Sequence, residues 1–141
     1  MFSNYNKNAI FRGYAIIFNI KDSYNDVITN SAFKNSLLKG IKNIPLLWQH
    51  NQDKQIGYFN NIIEDFVGLY VEGVIENINK ENKEIYSFIK NNIVNGLSIG
   101  YTVNDFKIDK KNRRVLTNIN LKEISIVSFP ANKLSSITYC E

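Results

Sequence analysis

Regular patterning begins at Ile10. Residues 10 to 20, IFRGYAIIFNI, are rich in aromatic and β-branched side chains and predict a strand, and the KDSYND that follows is turn chemistry. From Thr29 the period changes: in TNSAFKNSLLKG, Phe33 and Leu37 fall on one helical face, a Ser or Asn can cap the start, and Gly40 can close the end. A short helix is expected there. IPLLWQH then reads as a strand, and IGYFNNIIED and GLYVEGVIE read as a strand pair split by the turn-prone EDFVG, with Leu69 and Val71 alternating strictly with Tyr70 and Glu72. The clearest helix is NKENKEIYSFIKNNIVNG, which sets Ile85, Phe88, Ile89 and Ile93 on one stripe and ends at Gly96. LSIGYTVNDFKI, RRVLTNINL and EISIVSF predict three more strands, closed by PANK. Two helices among about seven strands with short loops imply an α+β fold, most simply a small, mainly antiparallel or mixed β-barrel surrounded by a few helices.

At 141 residues the chain has the length of one domain, 1–141, and 44% hydrophobic content is ample for a packed core. The abundant asparagine, scattered along the chain, carries no functional signal. The net charge of +4 raises nucleic acid as a partner, but the basic residues are dispersed. Their strongest cluster, KIDKKNRR at 107 to 114, reads as a solvated hairpin tip, so nucleic acid is not the expected partner. No apolar run is long enough to span a bilayer, and MFSNYNKNAIF lacks the apolar stretch of a signal peptide, which points to a cytoplasm-like compartment without a membrane role. The lone Cys140 has no disulfide partner.

Three side chains could carry chemistry. Ser98 lies in NGLSIGY, a G-x-S-x-G match, but a helix precedes and a strand follows it, the reverse of an α/β-hydrolase elbow. Those enzymes also place their histidine after the serine, and this chain has none after His50. In an extended segment Gly96, Ser98 and Gly100 share one face and Leu97, Ile99 and Tyr101 the other, so Ser98 stands in a gap free of side chains. That gap admits a substrate carbonyl; equally, the glycines can serve a helix end and a close strand crossing. Alternation puts Leu46, Trp48 and His50 on one face, and a lone histidine after an apolar run is either structural or, if a nucleophile needs a base near neutral pH, the only imidazole available. Glu123, in NLKEISIVSFPAN, shares a face with Leu121 and Ser125; it either faces water from an edge strand or is paired inside. No His or Cys spacing suits zinc, Asp22 and Asp26 fit a turn better than a calcium loop, and no cofactor is expected.

Taken in order, FRGYAIIFNIKDSYNDVITNSAF, IPLLWQH, IGYF, GLYVEG, NGLSIGY and LKEISIVSFPAN resemble the prohead protease family of tailed bacteriophages over about Ile10 to Lys133. The resemblance implies a serine endopeptidase on a closed barrel similar to the herpesvirus assemblin proteases. It assigns the catalytic histidine to His50, the nucleophile to Ser98 and the third member to Glu123. Herpesvirus relatives have an arginine pair in the loop after the third residue, where this chain reads FPANK. Amides at Ala131 and Asn132, with the Asn132 side chain, are the substitutes for the oxyanion hole. The implied substrates are the major capsid protein, the scaffolding protein and the protease's own end, cleaved inside the procapsid in the host bacterial cytoplasm, with a homo-oligomer as a further expectation. The alternative is an inactive capsid-assembly or scaffolding domain that keeps the barrel.

Overall fold

A computed structural model describes residues 5 to 141. The strands are β1 (Ala9–Ile17), β2 (Asp26–Ile28), β3 (Leu46–Trp48), β4 (Asn51–Glu64), β5 (Gly68–Ile75), β6 (Gly96–Ile108), β7 (Arg114–Val127) and β8 (Ser136–Cys140); the helices are α1 (Lys34–Leu38) and α2 (Lys83–Lys90). Hydrogen bonding runs β7-β3-β4-β5-β1-β8-β6 and returns from β6 to β7, which closes a seven-strand barrel, while β2 lies against the outer part of β7. Among the described residues only β2–β7 and β3–β7 run parallel. The expected barrel with few helices is the observed architecture.

Alternation carries the wall. Phe11, Leu69, Val71, Ile75, Leu97 and Leu116 are all buried in one core, each such side chain contributing about 1.5–3 kcal/mol relative to exposure. Phe11 is fully buried in it, edge-on to Phe59 with ring centroids 6.1 Å apart. Its ring needs Gly73 on the paired strand, where a Cβ would come within 2.4 Å of it.

Several expected elements differ in extent. The α2 stripe is real at Ile85 and Ile89, but the helix stops at Lys90; Asn92 takes a left-handed φ of 56°, Ile93 turns out to 66% exposure and Val94 fills the buried place. Gly96 is therefore the first residue of β6 and not a helix cap. Helix α1 ends as expected, with Gly40 at φ 87°, yet no Ser or Asn caps its start. The Glu64 carboxylate of β4 instead holds the turn just before it, accepting from Phe33 N–H at 2.7 Å and Ser31 N–H at 2.9 Å. RRVLTNINL and EISIVSF form one continuous strand, β7, and β2 and β8 were not expected from pattern at all. KIDKKNRR is the β6–β7 hairpin tip, turned through Asn112 at φ 60° with Asp109 accepting from Arg113.

Candidate active site

The site is built on the outer face of the β6–β7 pair. On β6, Leu97 and Ile99 point into the core, leaving Ser98 and Gly100 on the other face, as alternation predicts. On β7 the parity changes partway. Gly100 pairs with Glu123 but Tyr101 pairs with Leu121, so Lys122 is an extra residue and β7 bulges there. Core-facing positions shift from Ile119 and Leu121 to Ile124 and Ile126. Glu123 and Ser125 consequently turn outward together, and Glu123 does not share a face with Leu121, contrary to simple alternation. The amide of Leu121 at the bulge is taken by Ser36 Oγ of α1 at 2.9 Å.

Four positions thus form a block: Ser98 opposite Ser125 and Gly100 opposite Glu123. The second glycine of G-x-S-x-G has a specific task, since a Cβ on Gly100 would lie 2.5 Å from Glu123 Oε1. Its absence lets the carboxylate lie flat across the strand. Gly96, the first glycine, accommodates Pro130, whose Cδ would meet a Cβ at 2.8 Å.

His50 arrives by a different route from the expected one. Strand β3 ends at Trp48, which pairs with Asn51, so Gln49 and His50 form a two-residue turn with φ of 53° and 60°. Positive φ at both central residues is what a tight hairpin between right-twisted strands requires. The imidazole is therefore delivered by a turn and not by continuing alternation from Leu46 and Trp48. Trp48 stacks on Phe88 of α2, with centroids 6.4 Å apart, and supports the turn from behind. His50 Nδ1 lies 2.7 Å from Glu123 Oε1. A carboxylate accepts only, so Nδ1 carries the hydrogen, and in a neutral imidazole the lone pair is then on Nε2.

Glu123 is buried and paired, which excludes an edge charge facing water. Its second oxygen, Oε2, accepts from Ser125 Oγ at 2.6 Å, and Ser125 Oγ accepts from the His50 N–H at 3.1 Å. Ser125 was not singled out from sequence. The signal available was a hydroxyl between Ile124 and Ile126 in a strand otherwise apolar on that stretch.

Ser98 and His50 line one cavity of about 190 Å³ together with Gly100, Tyr101, Ala131 and Asn132. Ser98 Oγ makes no hydrogen bond among the described residues. The Asn132 side chain is committed elsewhere: Nδ2 donates to Ile17 O at 3.0 Å and Oδ1 accepts from Leu134 N–H. The backbone N–H groups of Ala131 and Asn132 have no acceptor among the described residues. Asp22, Tyr24 and Tyr101 complete the rim. Asp22 accepts from Tyr24 and Asp26 N–H in a local turn, as expected of DSYND. Burial, reinforced by Asp22 and Asp26, pushes the Tyr101 hydroxyl up to about 12. Arg114 is held by buried Asp26 through two bonds of 2.8 Å, and Arg113 by Asp109.

The arrangement joins an imidazole with a free Nε2, a serine hydroxyl and two unpaired amides around one small cavity, a set suited to acyl transfer. A family model described as caudovirus prohead serine protease matches residues 2–141. The prohead protease of Enterobacteria phage HK97 is 33% identical over 140 residues, covering 96% of this chain and 62% of that protein. That of Escherichia phage T5 is 32% identical over 128 residues, covering 89% and 60%. The chain thus spans about three fifths of the length of these two relatives, at 62% and 60%. Among solved structures, varicella-zoster virus protease superposes with a TM-score of 0.54 at 15% identity, over 85% of this chain and 58% of that one. KSHV protease, solved in complex with a hexapeptide phosphonate inhibitor, gives 0.55 at 9% identity, over 85% and 59%. At such identities these two establish the barrel alone. Membership rests on the match that runs from residue 2 to residue 141: the chain belongs to the caudovirus prohead serine protease family.

Proposed function

We propose that this chain is a serine endopeptidase domain in which Ser98 is the nucleophile, His50 the general base and Glu123 the residue that orients the imidazole. The observation that carries the proposal is the 2.7 Å contact between His50 Nδ1 and Glu123 Oε1, with Ser98 on the same cavity. His50 Nε2 takes the Ser98 hydroxyl proton as Oγ attacks a peptide carbonyl carbon, and the imidazolium returns that proton to the leaving amine nitrogen. Water then attacks the Ser98 ester by the same route. Glu123 stabilises the imidazolium that forms in both halves. The unpaired N–H groups of Ala131 and Asn132 receive the oxyanion, a contribution of about 3–4 kcal/mol per donor. The Asn132 side chain takes no part, because its amide is already bonded at both ends.

Family membership supports phage capsid or scaffold segments as substrates, and with them cleavage inside a procapsid in the host bacterial cytoplasm. The major capsid protein, the scaffolding protein and the protease's own end are the proposed targets, and self-association into a homo-oligomer is part of the same proposal. Ser98→Ala should fold normally and lose cleavage of a co-expressed capsid protein, by a factor on the order of 10⁴ to 10⁶ in kcat. Undiminished processing by that variant would sink the proposal. Covalent labelling of Ser98 by a fluorophosphonate provides an independent readout.

A further inference from the structure

We infer that Ser125 is a positioning residue for both His50 and Glu123, bonded to each from the position opposite Ser98. The inference rests on the serine-peptidase proposal only for what the positioned imidazole then does. Ser125 is fully buried, at 0% exposure, where an apolar side chain between Ile124 and Ile126 would pack without the need to satisfy a hydroxyl. Its hydroxyl is satisfied entirely by site groups. The single O–H points to Glu123 Oε2 at 2.6 Å, and the oxygen accepts the His50 N–H at 3.1 Å.

Each bond removes a different freedom. The terminal torsion of a glutamate is broad, so one contact at Oε1 leaves the carboxylate free to rock about it. With Oε2 held by Ser125 and Oε1 by the imidazole, both oxygens are fixed. The backbone bond acts on strain. Gln49 and His50 both sit in the left-handed region, at φ 53° and 60°, which residues other than Gly populate sparsely. Such residues persist only where surrounding contacts over-determine them. Here the anchors are Gln49 N–H to Ile126 O at 2.9 Å, the Gln49 side chain against Ser128, and His50 N–H to Ser125. Only the last acts on the His50 backbone. One oxygen thus sets the backbone that carries the imidazole and the carboxylate that orients it, from the position directly opposite Ser98.

His50 is the sole histidine of the chain, so its ring Nδ1–H gives one unambiguous downfield signal in a spectrum of histidine-labelled protein. Ser125→Ala should keep the fold, judged by the remaining amide spectrum. It should broaden or lose that signal and slow fluorophosphonate labelling of Ser98 by about 10- to 100-fold, the scale of a misplacement near 1 Å. Ser125→Thr, which keeps the hydroxyl, should retain both. A folded Ser125→Ala with an unchanged signal and unchanged labelling overturns the inference. Should the alanine variant unfold, Ser125→Cys, a weaker donor of similar shape, is read by the same signal, and an unshifted resonance again overturns it. Absence of labelling in the unaltered protein counts against Ser98 as nucleophile, and the imidazole signal then decides Ser125 alone.

Discussion

Gly100 shows how little separates a usable site from a blocked one at the residue scale. Alanine there must push Glu123 Oε1 from a position 2.5 Å from the new Cβ, and the carboxylate cannot yield without leaving His50 Nδ1. Gly100→Ala should therefore lose fluorophosphonate labelling at a stability cost of about 1–3 kcal/mol, measured by urea unfolding. Full labelling by a folded Gly100→Ala would show that Glu123 tolerates displacement. Two tyrosines make a separate prediction. Tyr14, through its hydrogen bond to Asp65, and Tyr101, through burial, are each raised from 10.0 to about 12. The folded state holds these protons more tightly than the unfolded chain does, so their ionisation leaves the fold untouched below pH 10 and works against it as pH rises through 12. In a phenolate absorbance titration two of the eight tyrosines should ionise last, and Tyr14→Phe and Tyr101→Phe should each flatten the alkaline loss of stability. Unchanged alkaline curves in both variants would refute this.

At the scale of elements, α1 is the part most dependent on its neighbours. Five residues are too few to hold a helix alone, and the turn that leads into it is held by Glu64, which accepts from the Ser31 and Phe33 amides. Glu64→Ala should cost about 1–2 kcal/mol in thermal or urea unfolding, comparable to losing a helix cap. Because Ser36 of α1 holds the amide of Leu121 at the β7 bulge, the loss should also raise hydrogen exchange there; unaltered protection at Leu121 would separate α1 from the bulge. The same bulge marks where pattern reading stops. Strict alternation identified the Ser98 face and the inward Leu69 and Val71, because β6 near Ser98 and β5 near Leu69 run without an extra residue. Glu123 was assigned the face of Leu121 because period two cannot register Lys122. His50 was assigned to a strand because Gln-His contains none of the Gly, Asn or Asp that advertise a tight turn. Strand β2 is three residues long and β8 reads SITYC, with too little alternation to stand out. Local periodicity is a property of uninterrupted strands, and in this protein the interruptions carry the site.

Across the whole molecule, the site joins parts that are far apart in the chain. The turn at His50 meets Glu123 and Ser125 only because β3 runs parallel to β7, pairing Leu47 with Ser125. The cavity is closed by the loop at Ala131 and Asn132, which the Asn132 side chain ties to Ile17 at the end of β1. Strand β8 then bridges β1 and β6, meeting β6 through Gly96 and Ser136 and through bonds from Leu97 N–H to Ser135 O and from Ile137 N–H to Asn95 O. This arrangement has a consequence in time. During synthesis His50, Ser98 and Glu123 have all been made before any residue of β8 exists, yet the wall that seats Ser98 against its neighbours has no closing strand until Ser136–Cys140 follows. Reactivity should accordingly switch on late and abruptly. A chain ended after Asn132 should carry every proposed catalytic side chain and resist fluorophosphonate labelling, and supplying residues 133 to 141 as a separate peptide should restore it. Labelling of the shortened chain at the full rate would show that the site assembles without β8. If it does not, the proposed site of a nascent chain is silent until β8 folds onto β1 and β6.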